Sequence, residues 1–500
     1  MNEVFNLPAS WVLVSVADLG KIVSGGTPST KEPSYWGGNI NWISPSDLTG
    51  YASKYITKGA KSITEAGLKN SSATVMPAGS VHFSSRAPIG YTVISAEAMT
   101  TNQGFKSLVP SNGVFNEFVY YYFKSAKQLA ESNATGTTFK EISGTAFSKL
   151  PIPLPPLNEQ HRIVAKIEEL FSELDKGIEN LKIAREQLKV YRQALLKHAF
   201  EGKLTAQWRE QNRDQLEHAT ALLARIQTER EQRYQQQLQQ WQTTGGSKPK
   251  APKPLPPLTA EELAELPELP EGWGWFKVAH ICDVVRGGSP RPAGDPKFYG
   301  GNIPFLKVAD ITTTPTPYLR TYTYTITEAG LSKTRQIEPN TLLLSNSGAT
   351  LGVPKICLIP ATMNDGVAAF LGLPKEALLY HYYFWQSQTK QLRNIDQGAA
   401  QPNLNTDLIK ETFIPICSGA EQVVVAQKLE EAMSEVDQLD QTLTAALQQA
   451  EALRQSILKR AFSGQLVPQD PNDEPAAALL ARIQAERDQT ATPKRKGKNL

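Results

Sequence analysis

The stretch EQHRIVAKIEELFSELDKGIENLKIAREQLKVYRQALLKHAF, residues 159–200, carries Ile167, Leu174, Leu181, Leu188 and Leu195 at intervals of seven. A second stretch, EQVVVAQKLEEAMSEVDQLDQTLTAALQQAEALRQSILKRAF, residues 421–462, carries Leu429, Val436, Leu443, Ala450 and Ile457 at the same spacing, 262 residues further on. Leu170, Phe171 and Ile178 fill in the first ladder, and Met433, Leu439 and Leu447 the second. A seven-residue apolar repeat held over about four heptads predicts coiled-coil helix. Neither stretch contains Pro, and their only Gly is Gly177. About 42 residues at 1.5 Å per residue make a rod of roughly 60 Å. Two such rods in one chain can bury their stripes against each other.

Outward from the rods, the rest of the chain is duplicated as well. Leu7-Pro8-Ala9-Ser10-Trp11 returns as Leu269-Pro270-Glu271-Gly272-Trp273, and Gly25-Gly26-Thr27-Pro28 as Gly287-Gly288-Ser289-Pro290. Trp36-Gly37-Gly38-Asn39-Ile40 returns as Tyr299-Gly300-Gly301-Asn302-Ile303. Ile63–Leu68 reappears unchanged at Ile326–Leu331. Self-similarity at a constant offset of 262 or 263 residues marks one module used twice.

Residues 1–156 read as the first globular domain. Short apolar runs alternate with Gly, Pro, Ser and Asn clusters, which predicts short strands and turns, with a helix near Asn116–Ser132. Leu150-Pro-Ile-Pro-Leu-Pro-Pro-Leu157 holds an extended segment and forbids helix until after Pro156. The first rod then occupies 157–203. A polar, Gln-rich helix (Trp208–Trp241) and a Gly/Lys/Pro-rich linker (Gly245–Pro257) fill 204–268. The second domain follows at 269–418 and the second rod at 419–464. Residues 465–500 read as a short helix and a disordered basic tail around Lys494–Lys498. Ala221–Gln227 and Ala478–Gln484 repeat one another and, with the polar faces of the rods, are candidate partner contacts.

Composition excludes more than it selects. The net charge of +3 neither demands nor forbids nucleic acid. Three scattered cysteines argue against a disulfide framework or a Cys-based zinc site. No signal pattern and no run of eighteen apolar residues occurs, so a cytoplasmic protein free of membrane is expected. No phosphate-cradling Gly-x-x-x-x-Gly-Lys-Ser/Thr occurs, and no Asn-Pro or Asp-Pro pair continues into Tyr or Phe as an amino-methyltransferase site requires. The six histidines have no metal-ligand spacing. His82 beside Ser84-Ser85 reads as structural. No catalysis is expected of the chain.

The candidate binding residues lie in paired polar loops. The bland reading of Gly25-Gly26 and Gly287-Gly288 is a tight turn; the functional one is a loop whose N–H groups approach phosphate. Lys21 and Lys31 flank the first loop, and Arg286 and Arg291 the second. Ser84-Ser85-Arg86 is matched to Asn346-Ser347-Gly348, and Thr101-Asn102-Gln103-Gly104 to Met363-Asn364-Asp365-Gly366. Arg, Asn and Gln read base edges in a major groove. Lys21, Gly25, Gly26, Thr27, Ser85, Arg86, Asn102 and Gln103 are therefore the candidate DNA-binding set of the first domain. Arg286, Gly287, Gly288, Arg291, Asn346 and Asn364 are that of the second. Charge is weak support: 12 basic minus 9 acidic residues gives +3 over 1–155, and 13 minus 11 gives +2 over 269–420. As a ruler, a roughly 60 Å rod can hold two reading heads about one DNA turn (~34 Å) apart.

The arrangement resembles the specificity subunit of type I restriction-modification systems over essentially the whole chain. The resemblance rests on Leu7-Pro-x-x-Trp11 opening each domain, on the Gly-Gly-Thr-Pro and Gly-Gly-Asn-Ile runs, and on Leu150–Gln160 leading into a long helix. It rests also on Arg192–Lys197 with Ala199–Leu204, echoed by Arg454–Lys459 with Ala461–Leu466. One departure is the exit from the second domain, Phe413–Glu421, which lacks the double proline. The resemblance implies an α+β fold: two pseudo-symmetric, strand-rich target recognition domains separated by two long antiparallel coiled-coil helices. It implies that each domain reads half of a split, asymmetric site on double-stranded DNA. Partners would be two modification (methyltransferase) subunits and restriction/translocase subunits. S-adenosylmethionine, ATP and Mg would sit on those partners, with no cofactor in this chain. The rival reading is a non-catalytic coiled-coil scaffold that binds proteins rather than DNA.

Overall fold

The structure, a computed structural model, describes residues 7–136, 140–245, 248–249, 251–252, 255–348, 350–394 and 404–490. The fold is α+β, with two strand-rich mixed-sheet domains and two helices of 44 residues, Leu157–Phe200 and Gly419–Phe462. Two compact units divide the chain. One takes in Met1–Lys182 and Thr444–Leu500, the other Ile183–Leu443. This division cuts across the linear domain list, because each long helix is shared between the units and each unit is closed by the segment that follows a long helix. The Lys494–Lys498 tail lies outside the described residues.

In the first unit the strands are β1 Val12–Ser15, β2 Gly20–Ser24, β3 Trp36–Ile43, β4 Tyr55–Ile56 and β5 Lys61–Ile63. They continue with β6 Val81–Ser84, β7 Thr92–Ser95, β8 Met99–Thr101, β9 Phe105–Pro110 and β10 Pro151–Leu154. They form a five-stranded sheet in the order β2-β9-β6-β7-β4, a three-stranded sheet β5-β3-β8 and the ribbon β1-β10. β6, β7 and β8 are buried along their whole length. Of their buried polar residues, His82, Ser84, Ser95 and Thr100 find hydrogen-bond partners inside the domain. The helix expected at 116–132 is two, Asn116–Ser125 and Lys127–Ser132, parted at Ala126. Phe118, Val119 and Phe123 of the first face the core.

The second unit repeats this plan in register. Its five-stranded sheet runs Asp283–Arg286, Val367–Leu371, Thr341–Ser345, Pro354–Cys357, Tyr318–Leu319. The same bulge recurs. Trp36 and Ile40 both oppose Ile63, as Tyr299 and Ile303 both oppose Ile326. One strand, Arg335–Ile337, is added beside Ala361–Met363, where the first unit has a single bridge, Met76 to Met99.

The ribbons explain how each domain enters and leaves. Val12 pairs with Leu154 and Ser15 with Pro151, as Gly274 pairs with Ile416 and Lys277 with Phe413. A two-stranded ribbon tolerates the prolines because their missing N–H groups face away from the partner. The helix begins directly after Pro156, where the Gln160 amide donates to the Pro155 carbonyl (3.1 Å). Gln422 repeats this bond to Cys417 at 2.9 Å. The missing double proline changes little. Ser418 stands at the position of Pro156, and its hydroxyl accepts the Glu421 N–H at 3.2 Å, an N-cap.

Inside each unit the beginning of one long helix packs against the end of the other, antiparallel. Ile163, Val164 and Ile167 share a core with Ile457, Leu458, Ala461 and Phe462. In the second unit Leu195, Leu196 and Ala199 share one with Val425, Ala426 and Leu429. Every rung of both ladders is buried or half-buried. The Ala221–Gln227 and Ala478–Gln484 repeats lie on helices Ala219–Thr244 and Ala476–Thr490. Leu222 and Ile226, like Leu479 and Ile483, are buried in their own unit's core, so this apolar stripe is not open to another subunit.

Candidate functional site

In each unit three loops converge at one end of the paired sheets. The first follows β2 and contains Gly25-Gly26. A Cβ on Gly25 would lie 1.8 Å from the Asn102 carbonyl oxygen, and one on Gly26 would lie 2.3 Å from the Ala73 nitrogen. Gly287 and Gly288 are as confined, against the Asn364 oxygen (2.2 Å) and the Lys333 oxygen (2.5 Å). Glycine is required here so that two backbones can touch. The phosphate-cradle reading is corrected on the same grounds. The Gly26 N–H donates to the Thr101 oxygen at 2.8 Å, the Gly287 N–H to Val367 at 3.0 Å and the Gly288 N–H to Met363 at 3.1 Å. These amides are occupied within the domain.

The second loop is the Asn-x-Gly turn after β8. Asn102 Oδ1 accepts the Gly104 N–H at 2.8 Å, and Asn364 Oδ1 accepts the Gly366 N–H at 3.2 Å. Both asparagines are half-buried, and each has its carbonyl committed to its own turn. The third loop follows β6. The Ser85 N–H donates to Gly104 O (2.7 Å) and the Asn346 N–H to Gly366 O (2.9 Å). Ser84 and Ser345 make the same two turn bonds, to Pro88 and Tyr91 and to Thr350 and Val353. The true counterpart of Ser85 is therefore Asn346, and that of Arg86 is Ser347, one residue off the pairing expected from sequence.

The side chains at this convergence differ between the units. Thr27 Oγ1 meets Gln103 in the first, and Ser289 Oγ donates to Asp365 at 2.7 Å in the second. Gln103 is exposed, as are Lys21, Arg286 and Arg291. Arg86 (3.7 Å) and Lys106 (3.6 Å) share a single carboxylate, Glu141. Arg286 Nε donates to the Asp365 carbonyl. Ser85 Oγ and both side-chain polar atoms of Asn346 are fully buried and lack a hydrogen-bond partner among the described residues. Sequence reasoning missed Lys106, Glu141 and Lys307, whose amine lies 3.5 Å from the Tyr324 ring centroid. Lys106 sits in a buried strand, where no alternation marks it.

His82 is buried, 2.9 Å from Ser107 Oγ, and burial pushes its pKa down to about 3. It is a neutral core histidine. Among the described residues no group of three His, Cys, Asp or Glu is placed to hold a metal, and no helix is long and apolar enough to cross a membrane.

The duplicated β-rich module, with a long helix attached to each copy, defines a class of two-domain helical-spacer proteins. Residues 8–182 and 270–449 match the type I restriction modification DNA specificity domain, and the chain belongs to that family. It is 38% identical over 201 residues to the MjaIX specificity subunit of Methanocaldococcus jannaschii, covering 40% of this chain and 46% of that protein. The EcoR124I/EcoR124II specificity subunit of Escherichia coli is 28% identical over 192 residues, 36% of this chain and 47% of that one. These matches span about half the length of the relatives. A longer match, 23% identity over 420 residues, reaches 79% of this chain and 77% of the EcoBI specificity subunit of Escherichia coli. A chain from a structure of the type I R-M system shares the fold with a TM-score of 0.64 at 19% identity, over 92% of this chain and all (100%) of that one. The HsdS subunit from Thermoanaerobacter tengcongensis does so at 0.54 and 18%, over 93% and 99%.

Proposed function

We propose that this chain is the DNA specificity subunit of a type I restriction-modification complex. Each recognition domain reads one half of a split, asymmetric site on double-stranded DNA, and the two long helices set the gap between the halves. The observation that carries this reading is the loop convergence. One duplicated scaffold presents Arg86, Asn102 and Gln103 in one unit and Arg286, Arg291 and Asn364 in the other, while Asn346 is buried. Two frames with the same backbone and different side chains suit two different half-sites. Lys21, Arg86 and Arg291 supply salt-dependent phosphate affinity, and the amide and guanidinium groups supply discrimination, each good bidentate base contact being worth ~1–3 kcal/mol.

Catalysis belongs to partners in this reading. Modification subunits carry S-adenosylmethionine, and restriction subunits use ATP and Mg. Ile183, Val190, Tyr191 and Leu439 stand 47–70% open on the helices, with Val190 the most exposed at 70%. An apolar stripe left uncovered on a helix pair supports docking of a partner subunit there.

The test is a map of modified adenines after co-expression with the modification subunit in a methylation-free host. A split motif with unequal halves and a fixed gap is the expected result, and Arg86→Ala and Arg291→Ala should each weaken one half. Absence of any modified adenine in the assembled complex would favour a protein-binding scaffold instead.

A further inference from the structure

The first recognition domain meets its long helix across a groove of about 820 Å³, lined among others by Tyr121, Lys124, Phe171 and Arg454. One polar cluster spans that groove. Lys54, in the loop before β4, has its amine 2.7 Å from Glu117 on helix Asn116–Ser125 and in contact with Glu168 on the long helix. Tyr55 donates its hydroxyl to Glu117, and Tyr121 donates to Glu168 at 3.3 Å. The amine also lies 5.5 and 5.9 Å from the Tyr55 and Tyr121 ring centroids. Burial alone would lower the Lys54 pKa, but the hydrogen bonds to Glu117 and Glu168 outweigh it and the shift is upward. Burial first, and the adjacent carboxylates second, push the Tyr55 and Tyr121 phenols up.

The second unit lacks this device. Its equivalent positions hold Pro317, Leu379, Tyr318, Tyr383 and Glu430. The two tyrosines and the helix glutamate are kept; the lysine and the second carboxylate are gone. Sequence duplication preserved the backbone on which such a clamp could stand, so the clamp is a property of the first domain alone. A charged network joining a strand loop, a domain helix and the long helix fixes an angle, because the single Lys54 amine bridges carboxylates that stand on two different helices.

We propose that Lys54, with Glu117 and Glu168, is a positioning clamp that fixes the first recognition domain on its helix and so sets which gap length between DNA half-sites is accepted. Among the described residues, the hydrogen bonds and ion pairs of Lys54 and Glu168 reach no candidate base-reading residue. They act through the placement of the domain. This inference rests on the specificity-subunit reading above.

The experiment uses the full chain co-expressed with the modification subunit, and plasmid sites whose gap is one base pair shorter than, equal to and one longer than the natural gap. The wild type should modify only the natural gap. Lys54→Met and Glu168→Gln should raise modification at the neighbouring gaps relative to the natural one by about fivefold to tenfold, with both half-site sequences unchanged. Lys54→Arg, which retains the charge, should restore the single gap, and Glu169→Gln, an exposed neighbour paired only with Lys166, should behave as wild type. An unchanged gap preference in Lys54→Met and Glu168→Gln overturns the proposal. So does loss of modification at every gap, since that marks a merely structural residue. If the wild type itself modifies no split motif, the specificity reading fails on its own. Hydrogen exchange then decides the clamp: faster exchange over residues 52–56 in Lys54→Met but not in Lys54→Arg upholds it, and equal exchange removes it.

Discussion

The two helix starts bury the same carboxylate in opposite company. Glu159 and Glu421 are each 1% exposed, and each accepts an indole N–H, from Trp11 at 3.0 Å and from Trp273 at 2.9 Å. Beyond the tryptophan they part. Glu159 takes a neutral amide, Gln469 at 2.6 Å. Glu421 takes Thr205 at 2.7 Å and the Arg209 guanidinium at 3.0 Å. In both units the partners come from the segment after the other long helix, so the knot closes the unit. Burial raises the Glu159 pKa, and the hydrogen bonds from Trp11 and Gln469 only partly counter it. One duplicated knot thus contains an ion pair, while the other holds its acid with neutral donors, the nearby Arg162 being paired with Asp473 at 2.6 Å. A buried charge with a cation is tolerable, whereas burial without a direct cation disfavours the ionised form.

The largest expected effect is on the charged side. Arg209→Ala leaves Glu421 buried without its cation and should destabilise the second unit by ~3 kcal/mol, read as a lowered urea midpoint with unchanged slope. The corresponding loss in the first unit is smaller. Gln469→Ala or Trp11→Phe removes one hydrogen bond from Glu159 and should cost ~1–2 kcal/mol, and Trp11→Phe can be followed by the early loss of first-unit hydrogen-exchange protection. The smallest effect has the sharpest sign. A carboxyl whose pKa is raised on folding contributes stability that is fully present below its unfolded pKa and lost as pH rises through its folded one. Glu159→Gln removes that loss, so relative to wild type it should gain stability as pH rises through the carboxylate range. Glu421→Gln, which breaks the pair with Arg209, should be less stable than wild type. If Glu159→Gln tracks wild type with pH and Glu421→Gln is as stable as wild type, the two knots are electrostatically alike and the comparison fails.

The duplication, the two helices and their starts were legible because each is written locally. The ladders have a period, the prolines forbid helix up to Pro156, and the helix begins at Leu157. The framework motifs were legible as repeats but not as a knot. Nothing in Leu7-Pro-x-x-Trp11 says that its indole meets a carboxylate 148 residues on. The candidate loops were found by residue type, and the structure does bring Gly25, Asn102 and Ser85 together. Their roles were less legible, since the same glycine serves an open anion loop and a closed backbone contact, and only the neighbour at 1.8 Å distinguishes them. The one-residue slip between Ser85 and Asn346 was hidden because a strand's register is set by its partner: Ser84 opposes Phe105, and Ser345 opposes Val367.

The second unit is a single run of chain, Ile183–Leu443, whereas the first is assembled from Met1–Lys182 and Thr444–Leu500. During synthesis the first unit's sheets emerge early but cannot be capped. The Ala476 N–H that bonds Ser10, and the Gln469 amide that holds Glu159, are made only after the whole second unit. The usual order, in which the N-terminal domain is finished first, is therefore inverted. The half that leaves the ribosome first is the half that matures second, and until then its Glu159 awaits an amide still being translated.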